Sequence, residues 1–215
     1  MKIFLDTTDV DTIKRLHSTG LIDGVTTNPT LVRKAGRSPD EIYDAIADLG
    51  VSDISMEVSG STTEMYEEAQ RLSSTYGSIA TIKLPMTSDG LLVTRQLSQQ
   101  HIRTNVTLIF TIPQAILAAK AGATYVSPFV GRLDDQQVAG LEVVRGIAGL
   151  YAQKRVETQV LAASIRSVHR AVRSFYNGAH IVTMPPNVFE DMYKHILTDK
   201  GLELFQSDLD KMNKD

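Results

Sequence analysis

Short apolar runs rich in β-branched residues alternate along this chain with longer segments whose apolar positions recur at helical spacing. Eight runs read as strands, near Ile3 to Asp6, Val25 to Asn28, Ile54 to Ser59, Ile79 to Leu84, Asn105 to Phe110, Tyr125 to Val130, Val160 to Ser164 and Ile181 to Met184. Each is followed by a segment that reads as a helix. Thr8 or Asp9 is placed to cap the first helix, Ser38 with Pro39 and Glu41 the second, and Thr62 the third. Gly20, Gly50, Gly77, Gly122 and Gly178 fall at helix exits, where a left-handed terminal residue is least strained.

A βα unit repeated eight times predicts an α/β fold: a (β/α)8 TIM barrel in one domain, residues 1–215, with residues 199–215 as an additional C-terminal helix. Leu202, Leu204, Phe205, Leu209 and Met212 are that helix's apolar positions, available to its own barrel or to a neighbour. An open doubly wound sheet is the alternative, but no Gly-x-Gly-x-x-Gly follows the first strand.

Side chains alternate across a strand, so parity sorts barrel-facing from helix-facing positions. In the fourth run Ala80, Ile82 and Leu84 share an apolar face, which leaves Ile79, Thr81 and Lys83 inside. In the fifth, Val106, Leu108 and Phe110 are expected outside, with Asn105 and Thr107 inside. In the third, Ser55, Glu57 and Ser59 point inward. The same rule puts Asp6, Thr26, Asn28, Ser127, Phe129 and Ser164 at inward positions, mostly near strand carboxyl ends, where barrel active sites are built. An unpaired polar group in a core costs about 1 to 3 kcal/mol, so this cluster needs internal partners, water or a ligand.

A lysine ringed by carboxylates, amides and hydroxyls points to amine chemistry. A free lysine titrates near 10.4, so at neutral pH fewer than about one in a thousand is nucleophilic unless the surroundings favour the neutral form. A Schiff base on Lys83 would make an electron sink, with Asp6 moving protons. The plainer reading is an ion pair of Lys83 with Asp6 or Glu57 that fills the barrel, and Asp6 also suits helix capping. Arg132 and Arg166 follow the sixth and seventh strands, where two guanidiniums can clamp one phosphate, with Ser164 adding a hydroxyl.

Composition narrows the classes. Hydrophobic residues make up 42% and charged residues 22%, ordinary globular usage that argues against a disordered chain. Lys and Arg total 22 against 25 Asp and Glu, with no long basic block, so nucleic acid is not an expected partner. Without cysteine there is no disulfide framework, thiolate metal site or cysteine nucleophile. The five histidines do not form a metal-binding pattern, so no metal is expected, and no phosphate-binding Gly-x-x-x-x-Gly-Lys loop occurs. The first residues lack a secretory apolar core and no stretch is long enough to span a membrane, so a cytoplasmic protein with no membrane partner is expected.

Phe-Leu-Asp-Thr at 4 to 7, Gly-Val-Thr-Thr-Asn-Pro at 24 to 29, Ile-Lys-Leu-Pro at 82 to 85, Asn-Val-Thr at 105 to 107 and Ser-Pro-Phe-Val-Gly-Arg at 127 to 132 carry a family resemblance. Over nearly its whole length the chain resembles the small bacterial-type transaldolases, in the family that also contains fructose-6-phosphate aldolase. The resemblance implies Lys83 as the Schiff-base lysine, Asp6 as the acid/base, and Glu57 with Thr107 holding a water that relays protons. It implies Asn28 and Asn105 on substrate hydroxyls, Ser127 and Phe129 lining the pocket, and Arg132, Ser164 and Arg166 on the sugar phosphate; Thr26, inward by parity, is a further substrate-binding candidate. The implied reaction transfers a dihydroxyacetone unit between sugar phosphates, with no metal or organic cofactor. Aldolase members of the family typically carry Gln and Tyr where this chain has Glu57 and Phe129, which sides this chain with the transaldolases. The resemblance also implies a homo-oligomer, a pentamer or decamer, with the C-terminal helix on a neighbour. Two rival functions remain: an aldolase that releases free dihydroxyacetone, and a barrel that binds sugar phosphates without turnover.

Overall fold

In the computed structural model, which describes residues 1–212, all eight apolar runs contain strands. The chain begins β1 (Lys2–Asp6), α1 (Val10–His17), β2 (Gly24–Thr26), α2 (Pro29–Ala35), α3 (Pro39–Ala47), β3 (Ile54–Glu57), α4 (Thr62–Tyr76), β4 (Ala80–Pro85), α5 (Ser88–Gln99) and β5 (Thr104–Ile109). It continues α6 (Ile112–Lys120), β6 (Tyr125–Pro128), α7 (Val130–Asp135), α8 (Gly140–Lys154), β7 (Gln159–Ala162), α9 (Val168–Tyr176), β8 (Ile181–Met184), α10 (Pro186–Asp191) and α11 (Ile196–Met212). Each strand pairs in parallel with the next, and β8 returns to β1, so the sheet closes. The fold is a (β/α)8 TIM barrel with an additional C-terminal helix. Among the described residues, no helix is long and apolar enough to cross a membrane.

Two apolar layers follow from strand alternation. The larger lies between strands and helices and holds Leu5, Val25, Ile54, Met56, Ile82, Leu84, Val106, Val126, Val160 and Val182, all fully buried. A smaller cluster of Phe4, Tyr125, Leu161, Ala163 and Ile181 fills the barrel itself. Phe4 and Tyr125 meet edge to face at 6.4 Å. Gly24 makes room for this: a Cβ there would stand 2.7 Å from the Phe4 ring and 2.7 Å from the Asp53 carbonyl oxygen.

The amino-terminal end of the barrel is closed by a buried charge with a full set of donors. Asp53 accepts hydrogen bonds from Thr81 Oγ1, Tyr125 Oη and an Arg103 guanidinium nitrogen, each at 2.8 Å. Burial, and next the Asp53 charge, push the Tyr125 phenol up, so its hydroxyl stays a donor to the carboxylate.

Helix punctuation matches the expectation at α1, capped by Asp9, and at α3, where Ser38 and Glu41 form a capping box. Two expectations are corrected. Ser61 rather than Thr62 caps α4, because its hydroxyl takes the Glu64 N–H while the Glu64 carboxylate returns to the Ser61 N–H. The Ser38-capped helix is also the third, not the second, since α2 intervenes directly after β2. Gly20, Gly50, Gly77, Gly122 and Gly178 all have positive φ at helix exits.

The C-terminal helix, expected from residue 199, begins at Ile196 and is described to Met212; residues 213–215 lie outside the described part of the chain. It has no buried residue, and Leu202, Leu204, Phe205, Leu209 and Met212 are all exposed.

Candidate active site

The carboxyl ends of the strands surround a cavity of about 390 Å³. Register builds its floor: Asp6 pairs with Thr26, Glu57 with Lys83, and Lys83 with Asn105 across adjacent strands. Residues on neighbouring strands at the same height and of the same parity point the same way, so one lysine, two carboxylates and an amide converge.

Lys83 is only 5% exposed, and its amine is held from two sides. It donates to the Thr27 carbonyl at 2.8 Å and pairs with Glu57 Oε2 at 2.7 Å. The ion pair expected with either Asp6 or Glu57 is therefore made with Glu57. Among the described residues Asp6 has no hydrogen bond to Lys83. Its Oδ1 accepts from Thr26 Oγ1 at 3.0 Å and, more weakly, from Asn28 Nδ2 at 3.5 Å. Thr26 Oγ1 also bonds Thr183 Oγ1 at 2.6 Å, which fixes the hydroxyl that orients Asp6. Burial raises the Asp6 carboxyl above the ordinary value, and the Lys83 charge and the Thr26 and Asn28 hydrogen bonds only partly oppose it. Asp9, not Asp6, caps α1.

Asn28 has two roles. Its Oδ1 caps α2 by accepting from the Leu31 N–H at 3.0 Å, with Pro29 opening the helix, and this turns its amide nitrogen toward Asp6. Asn105 is fully buried, donating to Ser55 Oγ at 3.2 Å and accepting from Ser127 Oγ at 2.6 Å. An amide has two N–H donors, so one remains for a ligand in the cavity that Asn105 lines. Thr107 Oγ1 is buried in the cavity wall without a partner among the described residues, a hydroxyl left for a substrate oxygen or a water.

Where a phosphate was expected, Arg132, Phe129 and Ser164 line the mouth, and the Arg132 guanidinium lies 5.0 Å over the Phe129 ring. Arg166 departs from expectation. Its guanidinium is engaged in a bidentate pair with Asp135 at the end of α7 and does not line the cavity. The cause is local: Asp135 offers two carboxylate oxygens that match the guanidinium fork.

Four inward or outward assignments are also corrected. Ile79, expected inside, lies in the short turn before β4 and packs on the core between strands and helices. Leu108, expected outside, lines the cavity, because the β5–β6 register shifts between Val106 and Ile109 and Leu108 takes φ 61°. The extra residue lets Ile109 fill the buried outer place. Phe110, expected on the outer face, is half-buried and packs edge to face on Phe129 at 5.9 Å. Ser59 is exposed beyond the end of β3. Thr183 was not anticipated, although it shares parity with the inward Ile181 and alternation along β8 would have found it. Among the described residues no three His, Asp or Glu side chains gather in a metal-binding arrangement.

Fold and cavity together define a (β/α)8 barrel of the lysine-centred kind, with one buried amine, two carboxylates and a polar wall at the carboxyl-terminal mouth. The transaldolase/fructose-6-phosphate aldolase family model matches residues 3–215. A probable transaldolase of Caulobacter vibrioides is 49% identical over 209 residues, covering 97% of this chain and 96% of its own. One of Thermodesulfovibrio yellowstonii is 46% identical over 215 residues, all of both chains. One of Sinorhizobium medicae is 47% identical over 209 residues. The chain belongs to the transaldolase/fructose-6-phosphate aldolase family.

Proposed function

We propose that this protein is a transaldolase of the pentose phosphate pathway that works through a Schiff base on Lys83. It moves a dihydroxyacetone unit from a ketose phosphate, fructose 6-phosphate or sedoheptulose 7-phosphate, to an aldose phosphate, erythrose 4-phosphate or glyceraldehyde 3-phosphate. The observation that carries this is the Lys83 amine, buried at the barrel mouth between Glu57 and the Asp6 side of the cavity.

Glu57 takes the proton that it shares with Lys83, the freed amine adds to the ketone carbon C2, and the proton returns to the C2 oxygen, which leaves as water and yields a protonated imine. Asp6 takes the proton from the C4 hydroxyl as the C3–C4 bond breaks, and the bonding electrons settle in an enamine while the aldose phosphate leaves. Addition of the enamine to the incoming aldehyde forms the new bond, and Asp6 returns its proton to the resulting alkoxide. Water then hydrolyses the imine and frees Lys83. A carboxyl raised by burial suits this alternation, since an acid/base works best when its proton affinity lies near the working pH. Glu57 and the unpartnered Thr107 hydroxyl hold the water. Asn28 and Asn105 contact substrate hydroxyls, Thr26, Ser127 and Phe129 shape the pocket, and Arg132, Ser164 and Arg166 receive the phosphate.

Glu57 and Phe129 favour transfer over release of free dihydroxyacetone: a carboxylate beside the amine, and a ring without a phenol, change how the bound water is activated. We also infer a homo-oligomer, pentamer or decamer, in which the unburied α11 packs on a neighbour. Borohydride reduction in the presence of fructose 6-phosphate is expected to trap a covalent adduct on the peptide containing Lys83. Absence of the adduct, or its persistence in Lys83→Ala, would overturn the mechanism.

A further inference from the structure

We infer that Asp135 tunes phosphate affinity at the mouth: it is the resident anion of Arg166, and a substrate phosphate binds by taking its place. The inference rests on the reading of the mouth as a phosphate site.

The geometry is built by α7, which leaves β6 and carries Arg132 and Asp135 one turn apart. Arg166 reaches Asp135 from the loop after β7 and pairs with both carboxylate oxygens. The Asp135 carboxyl is held below the usual range, first by the Arg166 hydrogen bonds and then by the charges of Arg166 and Arg132, so both guanidiniums act on it. Asp134, the neighbouring carboxylate, is occupied by Arg170 at 3.1 Å. Carboxylate and phosphate offer a guanidinium the same paired oxygens, and so compete for one fork.

Arg166 stands beside the cavity even while it faces Asp135. Gly131 makes this approach feasible: Ser164 Oγ and Arg166 Nε both lie within 3.0 Å of the point where a Gly131 Cβ would stand. Ser164 and Arg132 line the cavity, and Arg132 shares an adjoining hollow with Arg166 and Asp135, so a turn of the Arg166 terminal group is enough to bring it to the mouth. The side chains of Arg166 and Asp135 are 54% and 47% exposed, so packing does not lock the pair. Substrates without phosphate have no use for the exchange, and Asp135 should not affect them.

The test is calorimetric titration of the full chain with inorganic phosphate at fixed pH and ionic strength, comparing wild type, Asp135→Asn and a charge control from a separate ion pair, Glu142→Gln. Exposed ion pairs are weak, so Asp135→Asn is expected to tighten phosphate about twofold to fivefold. Glu142→Gln should leave it unchanged. In parallel, KM for fructose 6-phosphate should fall in Asp135→Asn, while kcat and KM for unphosphorylated fructose stay constant. A merely structural role would alter both substrates alike and lower the melting temperature. Equal or weaker phosphate binding by Asp135→Asn overturns the role of Asp135 but leaves the phosphate site standing. No phosphate binding by any of the three proteins overturns both.

Discussion

Lys83 Nζ and Glu57 Oε2 form a 2.7 Å ion pair across two adjacent strands whose Cα atoms are register partners. The pair places a carboxylate beside the proposed nucleophile while Asp6 stays free of hydrogen bonds to the amine. Two carboxylates flank one amine, and their different surroundings permit different tasks.

Replacing Glu57 by Gln keeps the shape and a hydrogen bond to Lys83 but removes the charge proposed to activate water. Transfer to erythrose 4-phosphate should fall about tenfold to a hundredfold, and free dihydroxyacetone should form a larger share of product. Rates with and without erythrose 4-phosphate measure this ratio. An unchanged ratio would remove Glu57 as the residue that favours transfer.

For Asp6 the structure predicts opposite effects on activity and stability. Asp6→Asn should lower kcat by about 10² to 10⁴, the span typical of a lost acid/base. Because burial raises the folded-state proton affinity of Asp6, the folded protein holds this proton more tightly than the unfolded chain does. The stability that proton supplies is complete below the ordinary carboxylate value and is lost as pH rises through the raised one. At pH 7.5 Asp6→Asn should therefore melt higher than wild type, and at pH 4 the difference should shrink. Melting curves at the two pH values provide the check, and a lower melting temperature at pH 7.5 would contradict it.

Asp53, at the far end of the barrel, should behave as a purely structural charge. Asp53→Ala leaves Thr81, Tyr125 and Arg103 without their common acceptor, and breaking a buried pair typically costs about 3 to 5 kcal/mol. Urea unfolding should show a loss of that order. KM for fructose 6-phosphate should stay near wild type where the variant is folded.

The exposed apolar positions of α11 should hold the assembly together. Paired Phe205→Glu and Leu209→Glu substitutions should lower the mass in light scattering toward the monomer while far-ultraviolet dichroism keeps the barrel signal, because neither side chain is buried in the chain itself. A wild-type protein already monomeric would discard the assembly.

Much of the site was legible from alternation alone. Lys83, Glu57, Asn105, Thr107 and Ser127 line the cavity where parity puts them, because a strand turns successive side chains to opposite faces whatever surrounds it. Thr183 obeys the same rule, since it shares parity with the inward Ile181 of β8. Leu108 breaks the rule: one left-handed residue in β5 inverts the parity beyond it, and nothing in Asn-Val-Thr-Leu-Ile-Phe marks that residue.

What the sequence by itself determined is the eightfold rhythm of strand and helix, most caps, and the convergence of an amine with carboxylates. All of these follow from periods of a few residues and from local hydrogen bonding. Only the tertiary structure decided which carboxylate holds Lys83, that Asn28 caps a helix while facing Asp6, and that Arg166 pairs with Asp135 outside the cavity. Those outcomes are choices among partners far apart in sequence, and distance and burial in the closed barrel settle which charge or hydrogen bond wins.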